Sequence, residues 1–210
     1  MEVIKRMWIV LFVMGIIPFC ICSSQEILKK RKVIIIDPGH GGTDSGAIAI
    51  NGYKEKEMAL EIAKEILKWN KTVLNNKYDI YLTRYTDTLI SLSHRTKLVR
   101  VLHPNLFISL HGNNANNPNV RGIEVYISVH AKSQPVKIAT HIMVHLNEKL
   151  GYKVRGVKKA NFQVLRKTVN ICPAILIELG FLSNKDEVNY LIKKQNKQAL
   201  ALAIIMSIKI

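Results

Sequence analysis

The sequence predicts a single α/β domain built on a parallel sheet. Three observations lead there. Apolar runs bounded by turn formers recur at Val33–Ile36, Leu106–Leu110 and Ala174–Ile177; short continuous apolar runs read as strands buried on both faces, the pattern of parallel sheets. From Lys32 onward such runs alternate with segments of helical periodicity. A length of 210 residues suits one domain with a substantial core and leaves no room for a second.

The elements follow in order. After the first strand comes a glycine-rich loop, Gly39 to Gly52. Residues 57–69 form an amphipathic helix with Ala59, Ile62, Ala63, Ile66 and Leu67 on one face. A strand is expected over 79–83 and a helix over 92–102, stopped by Pro104. The strand 106–110 leads into an Asn-rich loop from Gly112 to Asn119, and 123–128 is a further strand. Residues 135–150 form a helix with Ile138, Ile142, Leu146 and Leu150 inward and Gly151 as its stop signal. Phe162 to Leu165 reads as a short strand. Pro173 precedes the last strand, which ends near Glu178. Ser183 or Asn184 caps a helix through Lys193, and 198–208 is a terminal helix.

The first 24 residues are set apart. Lys5 and Arg6 precede the apolar stretch Met7 to Cys22, and Ser23-Ser24-Gln25 follows. This is the layout of a secretory signal. The stretch is short of the roughly 20 apolar residues that a membrane span requires, and Pro18 interrupts it. Residues 25–31 read as a short charged tether, and 32–210 as the functional domain. The expected location is therefore outside the cytoplasm, in the periplasm or cell envelope. Whether the leader is cut, retained or lipid-modified at Cys20 or Cys22 is left open by the residues around them. Cys172 alone remains in the mature part, so no intrachain disulfide forms there, and a metal would be held by His, Asp or Glu.

Lys and Arg number 31 against 15 Asp and Glu, a net charge of +16. Such a balance raises nucleic acid as a partner. The basic residues are scattered, however, and no arginine-rich arm or aromatic stacking motif accompanies them. For an exported chain the polyanion is the wall or membrane surface, so no nucleic-acid partner is expected.

Three apolar runs end in residues able to handle a metal or a proton: His40 after the first, His111 after 106–110, Glu178 after 174–177. In parallel sheets ligands bind beyond the carboxyl ends of the strands. If the three strands are neighbours, two histidines and a glutamate meet at one edge. Glu55 lies at a helix start, where it is either an ordinary first-turn acid or a ligand. Two His and one Glu form a catalytic zinc set with a fourth position left open, and hydrolysis then needs a base that is not a ligand. Glu178, beside Leu179 and Phe181, is placed for that, or is a strand-end carboxylate paired with a lysine. His141 and His145 stand i, i+4 on one helix, but the glutamate of an H-E-x-x-H motif is missing, and a helix-surface or partial core role is the plainer reading. Arg84, Arg95 and Arg155 can bind a substrate carboxylate or serve structural pairing.

Eight stretches in order make the sequence resemble the zinc-dependent N-acetylmuramoyl-L-alanine amidases of the Amidase_3 family: 36–46 (IDPGHGGTDSG), 52–56 (GYKEK), 82–87 (LTRYTD), 92–95 (LSHR), 107–113 (FISLHGN), 121–126 (RGIEVY), 155–166 (RGVKKANFQVLR) and 177–184 (IELGFLSN). The resemblance implies a twisted, mostly parallel sheet with helices on both faces. It implies Zn2+ held by His40, Glu55 and His111, and Glu178 as the catalytic glutamate that takes a proton from water and returns it to the leaving nitrogen. The implied substrate is peptidoglycan, cut at the amide between the lactyl group of N-acetylmuramic acid and L-alanine, in wall remodelling or daughter-cell separation. Asn113 and Arg155, in matching stretches, are candidate substrate contacts.

Some members of that family insert an extra helix after the strand matching Ile123 to Ser128. Here only His130 to Gln134 separates that strand from the next helix, so no activator protein is expected to be required, and the chain is expected to act as a monomer. A zinc peptidase cutting within the stem, and a wall-binding module that has lost catalysis, remain the alternatives from other classes.

Overall fold

The computed structural model describes residues 30–210; the expected secretory segment, 1–24, and most of the expected tether, 25–31, lie outside the described residues. From Arg31 onward the chain forms one compact unit. Its elements are β1 (Lys32–Pro38), α1 (Glu55–Thr72), β2 (Tyr78–Leu82), α2 (Leu92–Leu102), β3 (Leu106–Asn113), β4 (Ile123–Ser128), α3 (Ser133–Leu150), β5 (Val154–Ala160), α4 (Gln163–Arg166), β6 (Ala174–Phe181), α5 (Lys185–Leu191) and α6 (Lys194–Ser207). The sheet runs β2-β1-β3-β6-β4-β5. Its pairings are parallel except β4 with β6. The three strands predicted to be neighbours, β1, β3 and β6, are adjacent and parallel. Among the described residues no helix is long and apolar enough to cross a membrane.

Capping chemistry fixes several boundaries. The Ser91 hydroxyl accepts from the His94 amide at the start of α2, and His103, in the left-handed region at φ 43°, ends it before Pro104. Gly151 closes α3 at φ 67°. Asn184 accepts from the amides of Asp186 and Glu187, so it rather than Ser183 caps α5.

One expectation is corrected. Phe162 to Leu165 is not a strand: Phe162 is the N-cap of the short helix α4, and the strand of this region is β5, just before it. The reason is physical. Val154-Arg155-Gly156-Val157-Lys158-Lys159 lies at the sheet's edge and is largely open to solvent, so it lacks the apolar run that betrays a buried strand.

Because strand side chains alternate between faces, the sheet has two unlike sides. Ile34, Ile36, Ile108, Leu110, Ile123, Val125, Ile175 and Ile177 pack in a large core with Ile62 and Ile66 of α1, Ile138 and Ile142 of α3 and Leu200 and Ile204 of α6. The other face holds a smaller cluster, in which Ile35, Phe107, Ala174 and Leu176 meet Val99 of α2 and Val164 and Leu165 of α4. The same alternation, continued towards the carboxyl ends of β1, β3 and β6, brings Asp37, Ser109, His111 and Glu178 onto this thinly covered side. It is a face as much as an edge that carries the polar residues.

Phe107 is fully buried in the smaller cluster, on the strand that presents His111. Phe107→Ala is expected to cost about 3–5 kcal/mol of stability, read as a lowered urea midpoint with an unchanged denaturant slope.

Candidate metal centre

His40, Glu55 and His111 each present one ligand-type atom, and those atoms lie within 4.8 Å of one another. They come from three places in the chain: the turn after β1, the first residue of α1, and β3. The turn is strained, since His40 has φ 57°, a conformation costing about 1–3 kcal/mol in a residue with a side chain. It is held there by Arg95, whose Nη2 donates to the His40 carbonyl at 2.6 Å. Neighbouring glycines are required for close approach: a Cβ at Gly39 would collide with the His111 ring, and one at Gly46 with the Glu55 carboxylate and the His40 ring.

Hydrogen bonds assign the tautomers. Ser109 Oγ donates its one proton to Asp37 Oδ2, at 2.7 Å. It must therefore accept from His111 Nε2–H, at 3.1 Å. That leaves His111 Nδ1 as a lone pair, 2.8 Å from Glu55 Oε1. His40 Nδ1 donates to Asp44 Oδ2, also at 2.8 Å, leaving His40 Nε2 as a lone pair 3.0 Å from the same Glu55 oxygen. Three electron-rich atoms thus converge, an arrangement that calls for a positive charge among them. Where no cation sits there, a proton answers the same demand. His40 is raised to about 9: burial works against the charged ring, and the Glu55 and Asp44 carboxylates outweigh it. Burial pushes the Glu55 carboxyl up, but the adjacent His111 and His40 rings hold it far below the usual carboxylate range. An N, O, N donor set with lone pairs facing inward, backed by a carboxylate on one histidine and a hydroxyl on the other, fits a divalent cation such as zinc.

Glu178 lies beside His111 in register on β6. Its Oε2 is buried without a hydrogen-bond partner among the described residues. Burial raises its carboxyl to about 7. Glu178 and the two histidines line a cleft of about 450 Å³, walled by Leu89, Leu92 and Phe162.

The N-acetylmuramoyl-L-alanine amidase family model, Amidase_3, matches residues 34–209. The chain belongs to this family. It is 35% identical over 175 residues to the N-acetylmuramoyl-L-alanine amidase LytC of Bacillus subtilis, covering 82% of this chain and 34% of LytC. It is 37% identical over 169 residues to an endolysin of Bacillus phage SPP1, covering 77% of this chain and 59% of the endolysin. The chain thus spans between about a third and three fifths of the length of these relatives. Among solved structures, the catalytic domain of the amidase CwlV from Paenibacillus polymyxa superposes with a TM-score of 0.76 at 33% identity, over 84% of this chain and 95% of that one. An N-acetylmuramoyl-L-alanine amidase from Clostridium difficile 630 does so with a TM-score of 0.77 at 32% identity, over 84% and 94%.

The remaining candidates sort by their contacts. Arg84 and Arg95 are buried clamps: Arg84 donates to the carbonyls of Pro38, Gly39, Lys56 and Thr86, and Arg95 to those of Pro38, His40 and Ile90 and to Asp37. Of their two readings, structural pairing describes them. His141 Nδ1 lies 2.7 Å from the Ser207 carbonyl, a packing role. Asn113 and Arg155 both reach the buried carboxylate of Glu124. Asp37, Asp44 and Ser109 were not singled out from the sequence. Asp44, four residues after His40 in the same glycine-rich turn, offered a signal; Ser109, inside an apolar run, offered none.

The Arg95–Asp37 ion pair, 3% and 1% exposed with N–O at 2.6 Å, joins the His40 turn to the sheet. Arg95→Met leaves a buried carboxylate without its cation and is expected to destabilise by about 3–5 kcal/mol, measured by urea unfolding at neutral pH.

Proposed function

We propose that this chain is an exported zinc amidase that hydrolyses the amide between the lactyl group of N-acetylmuramic acid and L-alanine in peptidoglycan. The observation that carries the reading is the gathering of His40, Glu55 and His111, with Glu178 beside them, in a chain of the amidase family. Residues 1–24 serve as the export segment and 25–31 as a tether to the domain 32–210, which places the activity in the cell envelope.

His40 Nε2, Glu55 and His111 Nδ1 would hold the metal, with Asp44 and Ser109 orienting the two rings through their other nitrogens. Bound zinc supplies polarisation of a carbonyl and acidification of water. Glu178 accepts one proton of the attacking water and delivers it to the alanine nitrogen as the C–N bond breaks; the acid so formed gives its remaining proton to the released amine, leaving a lactyl carboxylate and an alanine ammonium. Its buried, unpartnered oxygen and a carboxyl raised to about 7 support this shuttle, since a group that must both take and give a proton works best near the ambient pH. Asn113 and Arg155, across the sheet from Glu178, face the departing peptide.

Only Val129 to Lys132 lie between β4 and α3, which supports a site open without an activator; in this reading the chain acts as a monomer. The CwlD amidase from Clostridioides difficile has been solved in complex with the GerS lipoprotein, so activity of the isolated domain is the measurement that matters. The basic surface, with a net charge of +16 for the whole chain, favours adsorption to anionic wall.

Two outcomes are expected. Glu178→Gln lowers the release of stem peptides by about 10²–10⁴-fold while bound zinc, measured by elemental analysis, stays stoichiometric; wild-type digests of wall expose amino-terminal L-alanine, and a different new terminus would instead identify a peptidase. Asp44→Ala weakens zinc affinity by about 10–100-fold, read by chelator competition, because His40 loses the bond that fixes its tautomer.

A further inference from the structure

A row of side chains crosses the sheet beyond the metal centre. His111 of β3 pairs with Glu178 of β6, Glu178 with Glu124 of β4, and Glu124 with Gly156 of β5. In the adjacent row Leu176 pairs with Tyr126, and Tyr126 with Lys158. These positions share the thinly covered face. The strip therefore runs from the candidate ligand through the candidate proton carrier to the edge strand.

Glu124 is the hub of its far half. Only 2% exposed, it accepts from Asn113 Nδ2 at 3.0 Å, Tyr126 Oη at 2.8 Å, Arg155 Nε at 2.7 Å and Lys158 Nζ. The register passes from Ile123–Val154 to Glu124–Gly156, so Arg155 is the extra residue of a bulge. Bulges re-aim side chains, and this one brings the guanidinium to Glu124. Arg155 also stacks on Phe181, at 5.3 Å, and Lys158 lies over Tyr126, at 5.9 Å. One carboxylate thus fixes two cations, and the Glu187 carboxylate also acts on Arg155. Among the described residues the two terminal nitrogens of Arg155 have no hydrogen-bond acceptor, while its side chain and that of Lys158 remain 30% and 41% exposed. Two partly open cations, held by one carboxylate on the same sheet face as Glu178, are preorganised for an anion.

We infer that Arg155 and Lys158, positioned by Glu124, bind a free carboxylate of the stem peptide, and that stems in which this carboxylate is amidated are poorer substrates. The inference rests on the amidase reading, in which Glu178 delivers its proton to the alanine nitrogen and the peptide leaves from there. Two strand spacings separate Glu178 from β5, about 10 Å. An extended peptide covers that span in about three residues, so the carboxylate belongs to the second or the third residue of the stem.

The test uses the zinc-loaded protein and three muramoyl tripeptides: one with free carboxylates at the second and third residues, one amidated at the second, one amidated at the third. Wild type is expected to lose about tenfold in kcat/KM on one amidated substrate, the loss of a charge-assisted hydrogen bond, and little on the other, which identifies the residue recognised. Lys158→Met and, separately, Arg155→Met should shrink that ratio to below about threefold, while Lys158→Arg should retain it. Equal wild-type rates on all three substrates overturn the inference, as does undiminished discrimination in both Met variants. A wild-type protein that releases no alanine-terminated peptide from any of them overturns the amidase reading and the inference with it.

Discussion

The structure around the candidate metal centre depends on the buried carboxylate of Asp37. Its two oxygens take Arg95 and Thr83 on one side and Ser109 on the other. Through Arg95 it anchors the turn that holds His40 in a left-handed conformation. Through Ser109 it decides which nitrogen of His111 carries the proton. Without this one acid His111 would not turn its lone pair to Glu55, and the turn carrying His40 would lose its tie to the sheet; the acid itself is tolerable in the interior because every partner it has is a donor.

That arrangement explains what the sequence disclosed and what it withheld. His40, His111 and Glu178 were visible because each ends or interrupts an apolar run, and their meeting followed from the parallel pairing of β1, β3 and β6. Glu55 stands at the start of a helix, where acids are ordinary, and only the motif around it distinguished it. Asp37 and Ser109 were hidden within strands, since a single polar residue in such a run carries no mark of the face it will occupy until the register is known. Glu124 was hidden for the same reason in Ile123–Ser128. β5 escaped notice because an edge strand needs little apolar content, and the lysines that obscured it are the ones that protect such an edge from pairing with another chain.

The antiparallel placement of β4 matters for the site. A parallel β4 would put Ser128, not Glu124, near the carboxyl end of β6. Reversed, it brings the start of β4, and with it the start of β5, to the end of the sheet where the candidate metal centre lies. The polar face is therefore continuous across β3, β6, β4 and β5. The large core on the opposite face carries most of the apolar burial, which lets this side hold several buried polar groups and still fold.

Two carboxylates, Glu178 and Glu124, are neighbours in register on that face, yet their surroundings drive them apart. Both are desolvated, which alone would raise each. Glu124 receives donors from Lys158, Arg155 and Tyr126, and these bring it below the usual carboxylate range. Glu178 has no such donors and moves up to about 7, with the charge of Glu124 adding to the effect. Adjacent acids whose proton affinities are driven apart are suited to opposite tasks: one keeps its charge and fixes cations, the other is suited to exchanging a proton. Exchanging their environments would exchange their roles, so the division of labour resides in Asn113, Tyr126, Arg155 and Lys158 as much as in the glutamates themselves.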